Sequence, residues 1–132
     1  MRSMNKIDRE FLVDLLCTAT YGCNWCCVKT LKSESELDNK YDTEYLDNRC
    51  LEEKWADRLL DGGHIVCYDY EDQCDDAPNR YIINLKDIIK GLKKARDGKA
   101  IRDWADFMDE SEDYFTCNNL LQVIMFGEVI YG

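Results

Sequence analysis

The chain is poor in residues that break or hinge a fold: one proline, Pro78, and seven glycines in 132 residues, with no Gly/Ser-rich stretch and no repeated segment. Those absences exclude a flexible linker and a repeat array, so residues 1–132 are expected to form a single domain. Long apolar runs are missing as well. The positively charged opening is followed at once by Asp8, Arg9, Glu10 and Asp14, which leaves no apolar signal core, and no run approaches the length of a bilayer span. A cytoplasmic protein with no membrane contact is the expectation, and in a reducing compartment its eight cysteines should remain thiols. Positive charge is scarce: 17 Lys and Arg stand against 27 Asp and Glu, a net charge of −10. That balance repels nucleic acid, which argues against direct DNA or RNA binding and for either plain solubility or a basic partner surface. His64 is the only histidine, and no GxSxG, P-loop, dinucleotide fingerprint or HExxH pattern is present. A non-enzymatic protein without a cofactor is therefore expected.

What is present reads as helices interleaved with short strands. Ile7, Phe11, Leu15 and Ala19 recur every four residues, which predicts a helix over 7–21 ended by Gly22. Trp25 to Val28 is a short β-favouring run, and 33–47 is a polar, acidic stretch suited to a loop. Leu46, Cys50, Leu51, Trp55, Leu59 and Leu60 mark a second helix before Gly62-Gly63. Ile65 to Tyr70 and Tyr81 to Leu85 predict a hairpin with a wide acidic loop over 71–79. Three further helical stripes follow, through Leu85 to Leu92, Ile101 to Met108 and Tyr114 to Met125. The expected fold class is α+β: a small, mostly antiparallel three-stranded sheet packed with about five helices, in the order α-β-α-β-β-α-α-α.

Three groups of residues carry possible chemistry. Cys23 and Cys26, with Cys27 beside them, have the spacing of a zinc or redox pair, but the other cysteines lie singly, and packing as small buried thiols is the preferred reading. A small zinc- or thiol-dependent protein built on Cys23 and Cys26 thus stays open as an alternative. Acidic residues cluster over 34–47, 69–76 and 103–113 without the pattern of a calcium loop. Against them stand Lys86, Lys90, Lys93, Lys94, Arg96, Lys99 and Arg102, of which 86, 90, 93 and 94 share one helical face. That face can be an outer surface, hold an anion, or meet an acidic patch of another copy and support a homo-oligomer.

Thr18 to Trp25, Asp69-Tyr70-Glu71-Asp72 and the closing Leu121 to Gly132 together span most of the chain. They resemble a family of small proteins from phages and bacterial mobile elements that opens on TA-x-EGG…YW, carries D-x-ED midway and closes on Q-x-x-LFGEVVYG. Tyr21 stands where that family has an acidic residue, Cys23 replaces the second glycine, and Trp25-Cys26 replaces Tyr-Trp. The resemblance implies a phage or mobile-element origin, in a setting where small accessory proteins neutralise host machinery. The expected function is a binding protein that antagonises a bacterial defence system, with a nucleotide immune signal or a host defence protein as partner. An accessory structural or regulatory protein is the alternative. The expected ligand residues are Tyr21, Asn24, Trp25, Gln122 and Tyr131, aromatic and amide groups suited to a base, with Lys90 and Lys94 offsetting ligand charge.

Overall fold

The computed structural model describes residues 1–20, 26–30, 50–74 and 77–131. Helix α1 (Arg9–Thr20) begins two residues later than its apolar pattern, because Asp8 Oδ1 accepts from the Phe11 N–H at 3.0 Å and caps it. Ile7 precedes that cap and packs against the core, as a hydrophobic staple does. Strand β1 (Cys26–Thr30) follows, then α2 (Leu51–Leu60), entered through Cys50, whose N–H donates to Glu53 Oε1 at 3.1 Å. The predicted termini at Tyr21, Trp25 and Leu46, and the polar stretch 33–47, lie outside the described residues.

Strands β2 (Ile65–Cys74) and β3 (Ala77–Ile83) complete an antiparallel sheet in the order β1-β2-β3. Cys26 pairs with Asp69 and Val28 with Cys67 on one side of β2, and Cys67 pairs with Tyr81 on the other. The expected wide loop over 71–79 is corrected: β2 runs on to Cys74, which pairs with Ala77 beyond a register shift. Ladder bonds are made by backbone groups, which polar residues supply as well as apolar ones.

Helix α3 (Leu85–Lys94) starts in a reciprocal cap: the Asp87 N–H donates to Asn84 Oδ1 and the Asn84 N–H to Asp87 Oδ2, both at 2.9 Å. A kinked turn (Ala95–Lys99), with Gly98 in a non-helical conformation at φ 135°, separates it from α4 (Ile101–Met108). The predicted stripe holds at Met108, which is buried, and at Trp104, which packs against the core, but not at Ile101 and Ala105. Ile101 and Ala105 face solvent, whereas Phe107 and Met108 are buried.

Helix α5 (Tyr114–Phe126) is capped by Asp113, whose Oδ1 accepts from the Thr116 N–H at 2.9 Å, and is closed by Gly127 in the left-handed region at φ 84°. It packs against α1, α3 and α4, and its buried residues surround most of its circumference, as befits the central helix of the layer. Ile65, Cys67 and Ile83 bring the sheet into the same core as Phe11, Leu12, Leu16, Trp55, Leu92, Phe107 and Leu121. The architecture is α+β, with five α-helices among the described residues.

One close approach sets the seat of α3. A Cβ placed on Gly91 would fall 2.6 Å from the Ile124 Cα, so only glycine allows α3 to lie this near α5.

Candidate functional site

Of the predicted site residues that the structure describes, Gln122 and Tyr131 lie at one place and Lys90 and Lys94 at another. The first is a corner where the ends of the motifs meet. Gln122 is 1% exposed on α5. Its Oε1 accepts from the Ile130 and Tyr131 N–H groups at 2.9 and 2.7 Å, and its Nε2 donates to the Tyr131 carbonyl at 3.1 Å and to Asn118 Oδ1 at 3.0 Å. A primary amide has two acceptor and two donor positions, and all four are occupied. Asn118 in turn donates to the Ala19 carbonyl at the end of α1, at 3.0 Å. The Tyr131 hydroxyl donates to Asp69 Oδ2 at 2.8 Å, and Asp69, 1% exposed, stands opposite Cys26 in the sheet.

The chain Ala19–Asn118–Gln122–Tyr131–Asp69 therefore joins the three segments that carry the resemblance. Its direct effect is to tie the C-terminal tail to the fold, with Tyr131 edge-on to Phe126 at 5.8 Å. Gln122 and Tyr131, expected to face a ligand, are engaged in this clamp instead. Tyr21, Asn24 and Trp25 lie outside the described residues, as does Cys23.

The second place is the exposed side of α3. Lys86, Lys90, Lys93 and Lys94, with Ile89 and Asp97, line a shallow groove of about 380 Å³. A smaller cleft of about 240 Å³ lies across the helix, between α3 and the end of α5, and is lined by Asp87, Lys90, Gly91, Lys94 and Val123 to Gly127. Neither Gln122 nor Tyr131 lines either depression, so the structure does not gather Gln122, Tyr131, Lys90 and Lys94 into one pocket. The two depressions differ in electrostatics. In the cleft, Asp87 offsets one lysine, and the C-terminal end of α5 presents carbonyls and the negative end of its dipole. Lys94 is drawn to that end, its Nζ 3.6 Å from the point where a Gly127 Cβ would stand. The groove has four ammonium groups against one carboxylate, Asp97, whose Oδ1 already bonds Arg96 Nε at 3.0 Å. Among the described residues none of Lys86, Lys90, Lys93 or Lys94 forms an ion pair. The groove is accordingly the better anion receptor, with Ile89 and the lysine stems as an apolar wall.

Two of the thiols outside the Cys23–Cys27 motif are packed residues. Cys67 and Cys117 are buried, and burial foremost pushes the Cys117 thiol up to about 12. Cys17 is raised as well, by burial first and then by Glu52 and Asp14. Neither Cys17 nor Cys117 is poised as a thiolate nucleophile at neutral pH.

Sequence reasoning missed Asn118 and the pairing of Tyr131 with Asp69. Asn118 lies four residues before Gln122 on one helix face, a spacing that amide pairs use, but nothing local identifies its second partner on α1. It also missed Arg2, which donates to Asp14 and the Phe107 carbonyl at 2.8 and 2.6 Å, pairs with Glu112, and lies 4.2 Å from the Phe107 ring centre. Comparison with known protein families, curated proteins and solved structures finds no match for the chain.

Proposed function

We propose that this is a non-enzymatic binding protein of phage or mobile-element origin that antagonises a bacterial defence system, and that it engages a nucleotide immune signal through the lysine face of α3. The carrying observation is the groove lined by Lys86, Ile89, Lys90, Lys93 and Lys94 in a chain of net charge −10. A phosphate needs clustered cationic donors, and a base needs an apolar surface beside them; the groove offers both. The scarcity of positive charge elsewhere makes its concentration here informative, because a face kept only for solubility has no need to oppose the sign of the whole.

The direct test is calorimetric titration of the purified protein with cyclic dinucleotides. Binding should weaken at least tenfold in Lys90→Glu with Lys94→Ala, about 1.4 kcal/mol or more, with the far-ultraviolet spectrum unchanged. Absence of binding by every cyclic dinucleotide refutes the nucleotide reading. If charge reversal over 103–113 then removes antagonism, the protein acts by occluding a defence complex through its acidic surface, which mimics phosphate towards a basic groove.

A further inference from the structure

The α4–α5 turn is the counterpart of the α3 groove in charge. Over 103–113 the chain holds six acidic residues, Asp103, Asp106, Asp109, Glu110, Glu112 and Asp113, and no Lys or Arg. Immediately before it, 86–102 holds seven basic residues against Asp87 and Asp97. At the end of the acidic block the rings of Tyr114 and Phe115 lie against each other, centroids 4.1 Å apart, and stay 42% and 58% exposed. Large aromatic side chains left in water beside a carboxylate rim are the composition of an interface anchor.

The turn is built to present them. Glu110 holds φ 59°, the Glu110 N–H donates to the Phe107 carbonyl at 3.1 Å, and the Ser111 N–H to the Asp106 carbonyl at 2.9 Å. Glu112 is held by Arg2, and Asp113 caps α5. The anchor thus stands on a braced turn, so docking it orders little that was free.

We infer that the protein self-associates head to tail, the Tyr114–Phe115 anchor of one copy, with the exposed Asp109 carboxylate of the same acidic turn, seating in the α3 groove of the next. The groove, about 380 Å³, has an apolar wall at Ile89 for an aromatic ring and lysines around it for a carboxylate. Knob and socket lie on different surfaces, so the contact is heterologous and propagates into a ring or an open string. It goes beyond the nucleotide reading and does not require it, although both use the same groove.

The experiment is sedimentation velocity on the full chain at rising concentration. Association is expected at low salt and should weaken at least tenfold in high salt, where screening shortens to about 3 Å at 1 M. Two variants separate the faces: Tyr114→Ala with Phe115→Ala removes the knob, and Lys86→Glu with Lys93→Glu removes the socket. Each alone should be monomeric. Mixed, they should form a 1:1 dimer and nothing larger, because one intact knob meets one intact socket. A wild type that stays monomeric at all concentrations and salts overturns the inference. So does association that survives either variant, or two monomeric variants that do not pair on mixing. The knob variant leaves Lys90 and Lys94 in place, so its nucleotide titration reads the proposed function separately.

Discussion

Replacing Gln122 by alanine tests whether the motif corner is a structural clamp. The side chain is 1% exposed and makes four hydrogen bonds, three of them to the backbone of Ile130 and Tyr131. Each such bond contributes about 0.5–1.5 kcal/mol net. The sum is discounted because the tail, once released, recovers water on its freed groups, leaving a cost of about 2 kcal/mol. For a domain of this size a loss of 1 kcal/mol lowers the Tm by roughly 3–5 °C, so thermal melting should fall on the order of 6–10 °C. The alternative, an amide held open for a ligand, leaves the melting curve where it was. A second arm identifies the mechanism. Removing residues 127–132 should cost as much as the substitution or more, and adding Gln122→Ala to that truncation should cost little further, since residues in one network are not additive. An unchanged Tm in Gln122→Ala, or full additivity with the truncation, refutes the clamp.

Gly91→Ala gains helix propensity, up to about 1 kcal/mol, but its Cβ falls 2.6 Å from backbone of α5. Separating two packed helices outweighs that gain, and a net loss of about 1–3 kcal/mol by urea denaturation is expected. The Asp103 carboxyl is held above its ordinary range, first by burial and then by Asp106 and Asp113, against the opposing bond from Asn119. A raised carboxyl destabilises the fold once ionised. The penalty develops as pH rises through the unfolded and then the folded pKa, and it is relieved on acidification. Asp103→Asn should therefore raise the Tm at pH 7, with the gain shrinking as pH falls through the raised folded pKa and gone below about pH 4; a gain that does not depend on pH refutes this account.

The parts of the fold set by periodicity were legible from sequence. The four-residue spacing of Phe11, Leu15 and Ala19 is buried along one side of α1, and Ile88 and Leu92 do the same in α3. What failed was set by single residues acting at a distance or out of phase. The wide loop over 71–79 was inferred from side-chain polarity, which does not prevent backbone pairing of Cys74 with Ala77. Ile101 shares the spacing of Trp104 and Met108, but it is the first residue of α4, just after the kink at Gly98, and stands in solvent. At the candidate site, the basic face of 86, 90, 93 and 94 was visible as a helical spacing. The roles of Gln122 and Tyr131 were not, because an amide and a tyrosine suit a clamp and a ligand equally until their partners on other elements are known.

The α3 face also bears on its own cost. Lys86 and Lys90, Lys90 and Lys93, and Lys90 and Lys94 stand three or four residues apart, the spacings at which like charges repel by about 0.2–0.5 kcal/mol each. No described carboxylate forms an ion pair with them, although the chain carries 27 acidic residues. The helix tolerates this because its stability comes from elsewhere: the reciprocal Asn84–Asp87 cap, the close seat of Gly91 on Ile124, and buried Ile88 and Leu92. Lys93 and Lys94 lie in its last turn, where the dipole favours them. Repulsion left standing in a free protein is relieved by whatever anion arrives, and that relief adds to the affinity of the complex. A nucleotide phosphate and the Asp109 carboxylate of the acidic turn would draw on the same relief, so the two must compete for the groove. Added nucleotide should then dissociate the head-to-tail assembly while leaving the knob variant unchanged in mass.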